Sequence, residues 1–277
     1  MKHVVMFSGG IGSWATAKRV AEEHGTENLI LLFADVKGNN PDPHVGEDED
    51  TYRFIHDAAE NVGAELVIVA DGRDIWQVFK DRKFLGNSRQ ANCSTELKQK
   101  PSRKWLNENC DPAETIVYVG IDWTETHRFP AIERHYLPYV AKAPLIEPPY
   151  LSKKEMIEWA RSEGLTTPRL YDLGFSHNNC GGGCVRAGQA QFKQLLELMP
   201  ERFARWEQKE KEVAEFLGKD QTILTEVSKG VKRNLPLVEI RRRVEEQPAM
   251  FDDFDIGGCG CFVDYEDPAP TMPLEGP

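Results

Sequence analysis

The chain has 277 residues, 40% of them hydrophobic and 29% charged, enough to bury the core of one large or two modest domains. Its mean hydropathy is −0.51, and no apolar run approaches the ~20 residues that a membrane span needs. The formal net charge of −11 argues against bulk nucleic-acid binding, although a local basic face is still allowed.

The N-terminus enters a strand almost at once. It has no basic region, apolar stretch and cleavage site of a signal peptide, so a cytoplasmic location is expected. The first segment, Val4 to Phe7, is apolar and leads into Phe7-Ser8-Gly9-Gly10-Ile11-Gly12-Ser13. Trp14 to Glu23 follows with helical spacing. Gly9, Gly10 and Gly12 allow positive φ and leave no Cβ between the amides and a bound group. Ser8 and Ser13 add hydroxyls, and the helix adds unpaired N–H groups and the positive end of its dipole. Together these make an anion site suited to phosphate. The plainer reading is a tight turn that binds nothing. No Lys follows the last glycine, so the loop is not a Walker A motif.

Asn28 to Ala34 is a continuous apolar run, as in a strand buried on both faces of a parallel sheet, with Asp35 at its carboxyl end. The loop from Lys37 to Asp50 carries Asp42, Glu47, Asp48, Glu49 and Asp50, a run read as solvated surface. Thr51 to Val62 reads as a helix and Ala64 to Ala70 as a third strand. Asp71 is placed to cap a short helix through Trp76 and Phe79. Thr95 to Asn109 is helix-like, with Lys98, Lys100, Arg103 and Lys104 on a face that either contacts substrate or is merely solvated. Thr115 to Val119 is a fourth strand ending at Gly120, before Ile121 to Arg128. Strands alternating with helices predict an α/β fold: a doubly wound, mostly parallel sheet with helices on both faces. Ligands in that architecture bind beyond the carboxyl ends of the strands.

Pro144, Pro148 and Pro149 mark a connection, so residues 1–150 are expected to form a nucleotide-binding α/β domain. Residues 151–277 are expected to form a smaller, mainly helical, cysteine-containing region with an acidic tail. Ser152 and Glu155 make a capping box. Gln189 to Met199 and Glu201 to Leu217 read as helices broken at Pro200. A hairpin is expected near Gly230, and a last helix from Pro236 to Glu246.

Six cysteines are present. In a cytosolic chain structural disulfides are not expected. Cys110 ends a helical pattern and reads as structural. Cys180-x3-Cys184, with three glycines between, and Cys259-x-Cys261 are tight pairs, and Cys93 lies alone in a loop. The set resembles ligands for Zn²⁺ or an iron–sulfur cluster; unligated thiols or a redox-active dithiol are the alternative.

These pieces resemble, in family order, the PAPS reductase-like branch of the PP-loop ATP pyrophosphatase (adenine nucleotide alpha-hydrolase-like) superfamily. Ser8-Gly9-Gly10-Ile11-Gly12-Ser13 is similar to its SGGxDS loop, and Phe33-Ala34-Asp35 to the strand end that holds adenosine. Asn92-Cys93-Ser94 through Lys98 and Lys100-Pro101 is similar to its Cys-Cys…Arg/Lys-Lys…Pro segment. Gly120…Glu125…Arg128 resembles its G-x-R…E-S…R strand end. Tyr171-Asp172-Leu173-Gly174-Phe175 with Cys180 and Cys184 resembles its Tyr-Asp-x-Gly-Phe…C-x2-C stretch. The chain departs from the pattern at Gly12, where the loop usually carries Asp. It also lacks the Glu-Cys-Gly-Leu/Ile-His segment whose cysteine attacks the sulfonate in PAPS and APS reductases.

The resemblance implies binding of ATP, or of PAPS or APS, with Mg²⁺. Ser8 to Ser13, Phe33 to Asp35 and Gly120 would hold the nucleotide, and Lys98, Glu125 and Arg128 would act on it. It further implies a [4Fe–4S] cluster, or Zn²⁺ in its place, on Cys93, Cys180 and Cys184 with Cys259 or Cys261. Three functions fit. The first is adenylylation of an acceptor by ATP, with pyrophosphate release and sulfur transfer. The second is thiol-dependent reduction of PAPS or APS by Cys259 or Cys261. The third is a zinc-stapled nucleotide-binding module without catalysis. The acceptor is left open among tRNA, DNA and a small molecule, no membrane is expected as a partner, and a homodimer is among the allowed oligomeric states.

Overall fold

The computed structural model describes residues 1–87, 91–228 and 230–246. Its centre is a parallel sheet of β1 (Lys2–Phe7), β2 (Leu29–Asp35), β3 (Glu65–Ala70), β4 (Thr115–Tyr118) and β5 (Val140–Lys142). The strand order is β3-β2-β1-β4-β5. The chain winds outward from β1 to β3, then returns to the other side of β1 for β4 and β5. Its direction therefore reverses between β1 and β4, and a doubly wound sheet opens its crevice at that place.

Period-two alternation divides the strand side chains between two cores. Val5, Phe7, Leu31 and Phe33 pack with Trp14, Phe54 and Met156, which belong to α1 (Ile11–His24), α2 (Glu49–Val62) and α6 (Lys153–Ser162). Val4, Met6 and Leu32 pack on the opposite face with Leu106 and Ile132, from α4 (Lys100–Asn109) and α5 (Phe129–Tyr136). A third core joins α3 (Ile75–Asp81) to α8 (Gln189–Leu198), α9 (Pro200–Leu217), α10 (Leu237–Glu246) and the hairpin of β6 (Leu224–Ser228) and β7 (Val231–Leu235). Trp76 and Trp206 meet edge to face there, with centroids 4.9 Å apart. Glu210, buried in α9, accepts from the amides of Ile223 (2.9 Å) and Leu237 (2.7 Å) and ties that helix to the hairpin and to α10. No helix among the described residues is long and apolar enough to cross a membrane.

Four expectations need correction. β5 was not foreseen: in three residues only Ala141 is buried while Val140 and Lys142 are exposed, so no apolar run marks it. The cap of α3 is Asp74, in a capping box with Gln77, whereas Asp71 pairs with Arg73. Ser94–Gln99 is a π-helical stretch that runs into α4. The acidic loop is not solvated throughout, since Glu47 is 1% and Asp48 0% exposed.

That loop is buried because its charges are answered. Lys98, 3% exposed, places Nζ 3.0 Å from Glu47 Oε1. Arg169, whose residue opens α7 (Arg169–Asp172), grips Asp48 with Nε and Nη2, each at 2.8 Å. Arg202 from α9 donates to the carbonyls of Pro43, His44 and Gly46. Burial holds its guanidinium below the usual arginine range, partly offset by Asp48 and Glu47.

Candidate functional site

The glycine loop leaves the carboxyl end of β1 and turns into α1. Gly10 is the N-cap and offers no capping side chain, and the first turn of α1 carries no acid. The start of this helix is therefore left with its positive end turned outward. Ser13 Oγ donates to Gly10 O at 2.8 Å, and Ser8 Oγ lies 3.3 Å from Ser13 Oγ. Tyr171, from α7, places its hydroxyl 3.0 Å from the Ile11 amide, which donates to it.

Gly12 faces the segment after β4. A Cβ at Gly12 would stand 3.0 Å from Gly120 O, and one at Gly120 would stand 2.9 Å from Ser13 N. Two glycines on different elements thus let the α1 N-terminus and the β4 exit touch at the reversal of strand order.

The cleft at that reversal is lined by Ser8, Gly10, Ile11, Gly12 and Ser13 on one side and by Gly120, Asp122, Glu125 and Arg128 on the other; Lys153, Tyr171, His177, Asn178 and Asn179 complete it. Asp122 caps its own turn, accepting from Thr124 N at 2.9 Å. Glu125 holds Arg128 by an ion pair. Lys153, at the first position of α6, donates to Ser176 O at 2.6 Å. Asn178 donates from Nδ2 to Gly9 O at 2.8 Å and to Thr51 Oγ1 at 3.0 Å. The C-terminal half of the chain therefore forms one wall of the glycine loop's cleft.

The structure brings together Ser8, Gly10, Ile11, Gly12, Ser13, Gly120, Glu125 and Arg128 from the expected set. Gly9 stands behind the wall, its carbonyl held by Asn178. Phe33 and Ala34 are 1% and 2% exposed, and the Asp35 carboxylate accepts from Tyr52 OH at 2.7 Å and Lys37 N at 2.9 Å. None of these three lines the cleft. Lys98 lies apart from it, in the buried pair with Glu47. Sequence reasoning did not single out Lys153, His177 or Asn178, all of which line the cleft. Lys153 lies inside the capping box of Ser152 and Glu155 that opens α6, and that box was the signal available for it.

The cysteine loop is closely packed. Its three glycines are required by packing: a Cβ would lie 2.0 Å from Arg202 Nη1 at Gly181, 2.9 Å from the Phe175 ring at Gly182 and 2.6 Å from the Trp206 indole at Gly183. Cys180, at φ 53°, donates its amide to Glu47. Cys180 and Cys184 are buried in one apolar cluster, and Cys93 packs against it. Among the described residues no group of three or more His, Cys, Asp or Glu side chains is placed to hold a metal ion. Cys259 and Cys261, the other members of the expected ligand set, lie outside the described residues.

No protein-family model and no curated protein matches the chain. The chain is similar in fold to a solved phosphoadenylyl-sulfate reductase. That structure is the phosphate complex of the PAPS reductase from Candida auris, with a TM-score of 0.42 and 14% identity, over 64% of this chain and 80% of that one.

Proposed function

We propose that the chain is a cytoplasmic enzyme that binds an adenine nucleotide and transfers its adenylyl group to an acceptor with release of pyrophosphate. The observation that carries this reading is the convergence of the glycine loop, Arg128 and Lys153 in one cleft at the β1–β4 reversal. Preorganised amides, a helix N-terminus and two cations suit the charge that builds on a departing pyrophosphate.

In this reading the phosphates lie on Gly10 to Ser13, and the nucleoside extends over the carboxyl ends of β1 and β4, along Met6 and Val119 to Ile121. An acceptor oxygen attacks the α-phosphorus as the bond to the bridging oxygen of the pyrophosphate breaks. Arg128, oriented by Glu125, and Lys153, oriented by the Ser176 carbonyl, face the oxygens of the leaving group. Mg²⁺ is usually held by one or two carboxylates together with substrate phosphates; Asp122 and Glu125 are the carboxylates here, and the ion would neutralise phosphate charge. A sulfur nucleophile then attacks the adenylylated acceptor, its bond to the acceptor forming as the acceptor–oxygen bond to AMP breaks.

The test is ATP-dependent pyrophosphate release, measured across tRNA, single-stranded DNA and small-molecule acceptors, beside equilibrium dialysis with ATP. Release with one acceptor supports the reading. Failure to bind ATP overturns it. Iron and sulfide analysis of anaerobically purified protein tests the sulfur extension separately.

A further inference from the structure

We propose that the outer edge of β5 is a docking groove for an extended, basic segment of a partner protein. The groove shares no lining residue with the cleft, so this inference stands apart from the nucleotide site proposed above.

β5 is the last strand of the sheet, with β4 on one side only. Its register sets Val117 against Ala141 and Tyr118 against Lys142, and Val119 N donates to Lys142 O at 3.0 Å. The backbone groups of Lys142 therefore turn towards β4. Successive residues of a strand turn their N–H and C=O to opposite sides, so those of Ala141 turn outward. No turn, loop or side chain among the described residues takes them up. One residue of an added antiparallel strand can satisfy both groups.

The edge opens on a groove of about 950 Å³ with Phe129, Val140, Ile146 and Trp159 in its lining. Val140 is 55% exposed. A strand as short as β5 offers a partner few main-chain bonds, and these apolar side chains supply contact area beside them. The charges choose the occupant. Glu22 and Glu23 of α1, Glu133 of α5 and Glu147 line the same groove, and all are exposed. Only Glu23 has a charged partner at ion-pair distance among the described residues, the His24 ring at 3.3 Å. Arg19 is committed to the carbonyls of Pro144 (2.7 Å), Glu147 (3.0 Å) and Pro149, which leaves Lys142 as the other cation of the groove. Four carboxylates against two cations, one of them already used, favour Lys or Arg on the incoming segment. A second copy of the chain would bring the same carboxylates against these, and a nucleic acid would bring phosphates. Such like-charge contacts are penalised.

The experiment is fluorescence anisotropy of labelled octapeptides with the whole protein, at about 0.15 M salt to screen long-range attraction. A peptide alternating Lys and Val is expected to bind at least about tenfold more tightly than one alternating Lys and Pro, which has the same charge but cannot pair as a strand. The double variant Glu133→Lys with Glu147→Lys should lose at least about tenfold in affinity for the Lys-Val peptide. Glu60→Lys with Glu114→Lys changes the net charge equally at exposed positions outside the groove, and should lose less than about threefold. Ala141→Pro removes the outward N–H without touching the ladder to β4, and should also weaken binding. Urea unfolding checks that this variant folds, and the charge variants carry the test if it does not. Equal binding of the Lys-Val and Lys-Pro peptides, equal losses in the two charge variants, or no binding of the Lys-Val peptide would each overturn the proposal. A dimer in sedimentation that Ala141→Pro dissociates would assign the edge to a second copy and overturn it as well.

Discussion

At the scale of single residues, the contact between Gly12 and Gly120 controls whether the cleft closes. Gly120→Ala puts a methyl group 2.9 Å from Ser13 N, a backbone atom that cannot rotate aside. We expect a loss of about 1–3 kcal/mol in urea unfolding, as for other overpacked sites, and weaker phosphate binding by calorimetry. In the proposed adenylyl transfer, Arg128→Ala would remove a donor that faces the oxygens of the leaving group. It is expected to lower pyrophosphate release by roughly 10²-fold or more while the unfolding midpoint stays near that of the parent protein. The residue scale is also where the sequence was most and least legible. The strand, glycine turn and helix around Ser8 to Ser13 could be read because glycine spacing after an apolar strand is a local signal. The place of Asn178 could not, because it is set by the carbonyl of Gly9, far away in the chain. Lys98 was illegible for a related reason: a lysine in a basic stretch reads as a substrate contact or a solvated face until Glu47 is found against it.

At the scale of elements, the acidic loop, the π-helical stretch before α4 and the cysteine loop form one unit. Glu47 accepts from both Lys98 Nζ and the Cys180 amide, with almost no solvent access. Removing one charge of such a pair strands the other in the interior. Lys98→Met is expected to cost about 3–5 kcal/mol, measured by urea unfolding. The double change Glu47→Gln with Lys98→Met should regain most of that, because an apolar and neutral pair needs no compensation. A lysine acting on substrate would predict the opposite pattern, with stability kept in the single variant and activity lost in both. The helices of the C-terminal half were legible from spacing and from Pro200. β5 was not, since three residues with one buried side chain leave no pattern. The cap of α3 was misplaced by three positions because Asp71 and Asp74 are equally plausible until Gln77 is seen to complete a capping box.

At the scale of the whole molecule, acid should loosen the fold through two histidines. His3 is held below its ordinary value of 6.5 by burial first, then by the stacked His24, the N-terminus and Lys142. Its ring lies 4.2 Å from that of His24, and its Nδ1 is 2.8 Å from Tyr118 OH. His135 is lowered to about 4 by burial and by Arg103. A histidine with a depressed native pKa binds fewer protons folded than unfolded. Its stabilising contribution is therefore complete above 6.5 and is lost as the pH falls from there towards 4. Unfolding free energy measured across that window should decline with falling pH, and the slope should flatten in His3→Gln. The α/β class was legible at this scale because strands buried on both faces leave continuous apolar runs, of which Leu29 to Ala34 is the clearest. The position of the third core was not, because which helices gather around Trp76 and Trp206 is decided by contacts between distant segments.

Gly12 and Gly120 also bear on the history of the chain. A side chain at position 12 would crowd the carbonyl of Gly120, and one at position 120 would crowd the Ser13 amide. A side chain gained at one position alone would strain the two elements that frame the cleft, so it would be selected against until the other had adjusted. Descendants of a common ancestor should then show these positions changing as a pair, with a side chain at 12 only where the exit from β4 follows a different path. A set of related sequences would display that covariation directly, and independent drift at the two sites would speak against it.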